Sequence, residues 1–167
     1  MLSEAMQAAM NDQINREYFS SYLYSAMANW FESGNLPGCA KWMRMQADEE
    51  RGHAEKFVQF LHDKGARVKL QAIDAPQNEW ATPLAAFEDA YTHEQHISAE
   101  INKLSSLATD EQDHASRVFL EWFVTEQVEE EASVDAVVQR IRLVQDAPGG
   151  LFLIDQELAG RSAESEG

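Results

Sequence analysis

Glu50 and His53 are the pair from which chemistry is most readily built. They lie three residues apart in Asp48-Glu49-Glu50-Arg51-Gly52-His53, a segment with no helix breaker on either side for a full turn. On a helix such a pair shares one face, with Cβ atoms roughly 5–6 Å apart. Trp42 precedes the pair at the same helical phase, and Phe57 and Phe60 follow it. A carboxylate and an imidazole inside an apolar seam are costly unless a charge pairs with them. One Glu-x-x-His occurs often by chance on Glu-rich helices, so its meaning depends on what else reaches the same depth.

The elements that must position this pair can be read from breakers and periodicity. Residues 3–33 lack Gly and Pro and place Met10, Ile14, Glu17, Ser21, Tyr24, Ala28 and Phe31 at alternating steps of four and three, one seam of a long helix. Ser33-Gly34-Asn35-Leu36-Pro37 breaks it. A second helix is predicted over 37–64, ending at Gly65, with Cys39, Trp42, Gln46, Glu49 or Glu50, His53, Phe57 and Phe60 or Leu61 on its seam. Two helices joined so tightly are antiparallel neighbours. Residues 66–82 then read as extended, with Val68, Leu70 and Ile73 alternating with polar residues. At up to ~3.3 Å per residue this stretch can run the length of a helix rising ~1.5 Å per residue, so it is a crossover.

Thr82-Pro83 supplies an N-cap and first turn for a third helix over 83–108, with Leu84, Phe87, Tyr91 or Ala90, Glu94, Ile97, Ile101 and Leu104 in phase. A fourth runs over 113–145, with Phe119, Phe123 or Trp122, Glu126 or Gln127, Glu130, Val134, Val137 and Ile141. Pro148-Gly149-Gly150 ends it, and a short fifth helix over 151–158 carries Leu151, Phe152, Ile154 and Leu158. Nothing in a four-helix monomer calls for that fifth helix. The small, polar tail from Gly160 to Gly167 is expected to fray. The fold class is therefore all-α, a four-helix bundle forming one domain over 1–167.

Glu17, Glu50 with His53, Glu94, and Gln127 with Glu130 each fall near the middle of their own helix. Mid-helix positions meet at one level whichever way the helices run. A single mid-helix acid is ordinarily solvated or salt-bridged. Four carboxylates and one imidazole buried together repel and stay unsatisfied unless cations bridge them. Arg16, Arg44 and Arg51 fall outside the seams and cannot serve. Carboxylate oxygens with one imidazole suit iron or manganese better than copper or thiolate-bound zinc.

Composition is consistent with this. A formal charge of −16 argues against nucleic acid or an anionic membrane as partner and favours attraction of cations. Hydrophobic residues at 44% suit a globular core. Cys39 is the only cysteine, which excludes an intramolecular disulfide and a Cys-x-x-Cys metal site. No basic leader or apolar run of membrane-spanning length is present, and a cytoplasmic location is expected.

Over nearly its whole length the chain resembles the non-haem bacterial ferritins, through Arg16-Glu17-Tyr18, Glu49-Glu50-Arg51-Gly52-His53, His93-Glu94-Gln95 and Glu126-Gln127-Val128-Glu129-Glu130-Glu131. The ferritin-like bundle has four long helices, a long crossover between the second and third, and a short fifth C-terminal helix. The resemblance implies an intra-subunit di-iron ferroxidase centre. One iron falls to Glu17, Glu50 and His53, the other to Glu94 and Glu130, with Glu50 as bridge. Symmetric di-iron enzymes carry a second Glu-x-x-His on the fourth helix. This chain has Gln127-x-x-Glu130 there, so the second site has oxygen ligands only and should exchange its metal more readily. Gln127 is expected to hydrogen-bond a bound oxygen species or water. A third iron site is implied at Glu49, Glu126 and Glu129, sharing Glu130. Tyr24 matches the family's tyrosine near the centre, an electron donor to oxygen. Haem is not expected, because Gly52 stands where bacterioferritins place a methionine, and Met6, Met10, Met43 and Met45 suit packing.

The resemblance implies a ferroxidase and iron store. Fe(II) would be oxidised by O2 or H2O2 and mineralised as ferric oxide inside a 24-subunit shell, and a ferredoxin-type reductant for iron release is admitted. The fifth helix favours that shell over the 12-subunit mini-ferritins. Asp110, Glu111, Asp113 and Glu121 are candidate pore acids, with His114 and Arg117 among them. The rival readings are a rubrerythrin-type di-iron peroxidase without storage and a metal-free helical module. The missing second Glu-x-x-His and Cys-x-x-Cys count against the first, and the buried acids against the second.

Overall fold

In the computed structural model, which describes residues 2–162, five helices follow one another: α1 (Glu4–Ser33), α2 (Pro37–Asp63), α3 (Pro83–Asp110), α4 (His114–Val144) and α5 (Gly150–Ala159). Three of the four long helices, α1, α3 and α4, begin at a side-chain cap. Ser3 accepts from the Met6 N–H at 2.9 Å, Thr82 from the Ala85 N–H at 3.0 Å ahead of Pro83, and Asp113 from the Ser116 N–H at 3.2 Å. Gly65, at φ +67°, comes after the last turn of α2 in the left-handed region that residues with a Cβ resist.

α1 pairs with α2 and α3 with α4, each across a short break, while residues 66–82 run extended along α1. Side chains of α1 hold that crossover. Asn11 accepts from the Lys69 N–H at 2.6 Å and donates to the Arg67 carbonyl at 3.1 Å; Asn15 donates to the Ala72 carbonyl at 3.0 Å. Trp80 then buries its ring edge-on against Trp30 and donates to Asp89 at 3.0 Å.

The apolar core is split in two. One cluster includes Tyr24, Phe31, Trp42, Met43, Phe87, Ala90 and Val137; the other includes Met6, Met10, Ile14, Phe57, Leu61, Ile97, Leu120 and Phe123. Where the periodicity leaves alternatives, the structure buries Glu50, Leu61, Ala90, Phe123 and Gln127. Ser21 is the exception on α1. Its neighbour Ser20 is buried, and Ser21 is half-buried, with its hydroxyl donating to the Ala47 carbonyl at 2.6 Å.

The fifth helix does have a role inside one chain. Ile154 and Leu158 join the first apolar cluster. The N-cap residue of α2, Leu36, offers no side-chain acceptor. Asp155 of α5 supplies one instead, its buried carboxylate accepting from the Cys39 N–H at 2.8 Å. The two helices approach so closely that a Cβ on Gly38 would lie 1.7 Å from the Asp155 carbonyl oxygen. Phe152 and Leu153 of the same helix remain exposed.

The tail also differs from expectation. Gly160 and Arg161 continue the helix's hydrogen bonding, to Glu157 and Leu158 carbonyls, and the Arg161 side chain packs inward. Residues 163–167 lie outside the described residues. Replacing Asp155 by Ala should cost ~1–2 kcal/mol and lower the thermal midpoint by a few degrees. Gly38→Ala should cost more, because backbone must move. Unchanged midpoints in both variants would contradict the α2–α5 contact.

Candidate metal centre

Between the two apolar clusters lies one polar layer. Glu17 on α1, Glu50 and His53 on α2, Glu94 on α3 and Glu130 on α4 all converge there, with exposures of 1%, 0%, 4%, 0% and 6%. Water therefore cannot satisfy these charges. Two groups share Glu50: Glu17, Glu50 and His53 in one, Glu50, Glu94 and Glu130 in the other, with one ligand atom from each residue within 4.8 Å of the rest. This geometry brings together the five residues read from the sequence.

Neighbouring amides and one phenol satisfy the outer oxygens. The Gln13 amide donates to Glu17 Oε1 at 2.7 Å, and the Gln46 amide to Glu130 Oε2 at 2.7 Å. Tyr24 donates its hydroxyl to Glu94 Oε1. The Gln127 amide donates to Glu94 Oε2 at 3.2 Å and approaches Ser98 Oγ at 3.3 Å. The remaining atoms point inward. Glu17 Oε2, both oxygens of Glu50 and His53 Nδ1 have no hydrogen-bond partner among the described residues. Orphaned acceptors aimed at one another are rare in folded proteins, and such a donor set fits hard divalent cations such as Fe(II).

The electrostatics result from burial. Desolvation pushes the Glu17 carboxyl up to about 7, against the hydrogen bond from Gln13. Burial and the negative charges of Glu94, Glu17 and Glu130 hold Glu50 well above the usual carboxylate range. Glu130 is raised likewise by burial and Glu94, and Glu94 by burial against the bonds from Tyr24 and Gln127. Burial, with Lys56 nearby, depresses His53 to about 4. The imidazole is thus neutral at pH 7 and no ion-pair partner, and its Nδ1 lies 3.9 Å from Glu17 Oε2 and 3.6 Å from Glu50 Oε2, where the Nε2–H tautomer offers a lone pair to a cation. Phe123 and Trp122 fix the ring edge-on, with centroids 5.9 and 5.5 Å away.

The acids expected at a third site are arranged differently. Glu126 and Glu130 form a group with His53, whose Nε2 lies 3.9 Å from Glu126 Oε1. Glu129 is exposed. Glu49 is bound by Arg161, whose Nη2 lies 3.3 and 3.2 Å from its two oxygens. Of the candidate pore acids, Glu111 accepts from Ser3 at 2.6 Å, Glu121 faces Arg117 at 3.6 Å, and Asp113 caps α4.

Three supporting residues stand outside the set that sequence reasoning assigns. Gln46 is in phase on its helix but has no role there until Glu130 is beside it, Gln13 lies one turn before Glu17 and is legible only by that spacing, and Arg161 carries no sequence signal. A fourth, His93, sits beside Glu94 with Nε2 2.7 Å from Ser20 Oγ, and burial lowers it to about 4.

The ferritin-like domain family matches residues 7–144. A bacterial non-heme ferritin of Bacteroides fragilis (strain 638R) is 41% identical over 161 residues, 96% of this chain and 100% of that protein. One from Staphylococcus aureus (strain MRSA252) is 35% identical over 166 residues, covering 99% and 100%. An open pore ferritin from the hyperthermophilic archaeon Archaeoglobus fulgidus matches with a TM-score of 0.96 and 45% identity, covering 97% of this chain and 100% of that one. With the family match over residues 7–144 and relatives in sequence and in structure over nearly the full length, the chain belongs to the ferritin family.

Proposed function

We propose that this protein oxidises Fe(II) at the Glu50-centred site and stores the Fe(III) as a hydrated oxide inside a shell of its own copies. The observation that carries the reading is the pair of ligand groups sharing Glu50, with unsatisfied oxygens and one neutral imidazole nitrogen turned toward each other. Fe(II) is the substrate. One ion binds Glu17, Glu50 and His53, and the other Glu50, Glu94 and Glu130. Each gives one electron. O2 takes both with two protons and leaves as H2O2; H2O2 as oxidant takes both with two protons and leaves as two waters. A third iron and Tyr24 bring the count to four electrons, enough to carry O2 to two waters, and the Tyr24 proton has an acceptor in Glu94. The oxygen-only second site releases its product more easily than the first, which suits onward movement of iron.

Membership in the ferritin family supports self-association, and so does the surface. Leu70 and Ile73 on the crossover and Phe152 and Leu153 on α5 stand 43–73% exposed. We infer a 24-subunit shell in the cytoplasm, with acids near the start of α4 guiding iron inward. Twenty-four copies of an 18.9 kDa chain give about 450 kDa. Size-exclusion chromatography with light scattering should read that mass, and a dimer would favour a di-iron peroxidase without storage.

Glu17→Ala or His53→Ala should assemble normally yet slow the initial phase of Fe(II) oxidation by roughly 10–100-fold or more. Unchanged initial rates in a stopped-flow absorbance assay would refute the site.

The raised carboxyls have a consequence for stability. Glu17 holds its proton to about 7 in the fold but releases it near 4.5 when unfolded, so its contribution is complete below 4.5 and lost as pH rises through 7. His53 acts oppositely: depressed to about 4, it is intact above its usual 6.5 and lost as pH falls. Of these groups, only the carboxyls still act above pH 6.5. Metal-stripped protein should therefore lose thermal stability between pH 6.5 and 8, and Zn(II) should restore it. Glu50→Gln should raise stripped-protein stability at pH 8, because an amide cannot ionise beside Glu17, Glu94 and Glu130 as the pH rises. A variant no more stable than the native protein there would contradict the repulsion described.

A further inference from the structure

Arg161 lies beyond α5, yet its side chain is only 8% exposed. Its guanidinium spans both oxygens of Glu49, at 3.3 and 3.2 Å, and its central carbon sits 4.7 Å from the Trp42 ring centroid. The backbone holds it there. The Arg161 N–H donates to the Leu158 carbonyl at 3.2 Å, Leu158 is anchored in the core, and Lys41 donates to the Ala159 carbonyl at 2.7 Å. A cavity of about 770 Å³ opens beside the polar layer, and Trp42, Glu126, Glu129, Glu130 and Arg161 all line it. Glu49 and Glu126 both push the Glu130 carboxyl upward, so these acids share one field at the edge of the iron site. A cation supplied by the chain itself thus stands on one acid of that edge.

We propose that Arg161 is a tethered cation standing on Glu49 at the edge of the His53, Glu126 and Glu130 group, so that a third metal ion drawing Glu49 into that group binds only by displacing it. This rests on the ferroxidase reading above. The physical logic is competition. A guanidinium held by a short tether competes at high effective concentration, and the apparent affinity of the metal falls by the fraction of time the acid is uncovered. The two ions on Glu50 meet no such competitor and fill first. The third must also break the stacking on Trp42. As it arrives, its positive charge replaces that of the departing guanidinium, so the acidic edge never carries its full negative charge unpaired. Arg161 is a positioning residue in this role. It orders the filling of the sites without touching the first two ions.

The test is an anaerobic titration of the metal-stripped assembled shell with Co(II), counting ions bound per subunit and their affinities by calorimetry. Native protein should bind two ions tightly and a third weakly. Arg161→Ala should tighten the third by about tenfold or more and leave the first two unchanged. Adding Glu49→Gln to that variant should abolish the gain. A residue that merely docks the tail would shift no single binding step. If Arg161→Ala fails to assemble, Arg161→Gln, which keeps the stem over Trp42, is read the same way. A third affinity that is unchanged or weaker on losing the arginine overturns the proposal. Loss of the first two ions in no variant, Glu17→Ala included, would instead overturn the ferroxidase site while leaving the Arg161 question decided by the third step alone.

Discussion

Four carboxylates held in one buried layer are the constraint on which the rest of this structure depends. Each carries a desolvation cost, and the charge of Glu94 raises the carboxyls of Glu17, Glu50 and Glu130. The two apolar clusters above and below the layer stabilise the bundle against that cost, and Gln13, Gln46, Gln127 and Tyr24 satisfy the outward-facing oxygens. The inward-facing oxygens have no protein partner among the described residues. A site left half-satisfied in this way trades stability for affinity toward cations. The proposed function puts that same repulsion to use as the attraction for iron.

Geometry at the layer depends on parts of the chain far from it. α2 carries Glu50 and His53, and its N-terminus is completed from another element, by Asp155. Arg161 ties the end of α5 to Glu49, next to Glu50. The fifth helix and the residue that follows it are therefore hydrogen-bonded to α2 at Cys39, Lys41 and Glu49. A short C-terminal segment that looks optional for a bundle thereby reaches the edge of the carboxylate layer.

The bundle and the five residues of its polar layer are legible in the sequence for one reason. Burial tracks periodicity, and an acid that keeps the apolar phase, as Glu17, Glu50, Glu94 and Glu130 do, must be buried too. Caps are legible where Ser3, Thr82 and Asp113 stand just ahead of an apolar-periodic run. Contacts that depend on how elements meet in space are not. Asp155 reads as an ordinary helical acid until α5 packs on α2, and Arg161 sits in a stretch whose Gly, Ser and Ala content suggests fraying. Ser21 sits at the flank of the buried face, where its hydroxyl finds the Ala47 carbonyl, and phase alone does not decide between it and Ser20. For the third site, sequence gives the acids but not the cation already on one of them.

Function at this layer turns on whether Glu50 bridges two iron ions. Crystals soaked anaerobically in Fe(II) and measured at the iron absorption edge test it directly. Bridging predicts two anomalous peaks ~3.5–4 Å apart with a Glu50 oxygen bound to each, and His53 Nδ1 on one ion only. A single peak, or iron bound only outside the buried layer, would contradict it.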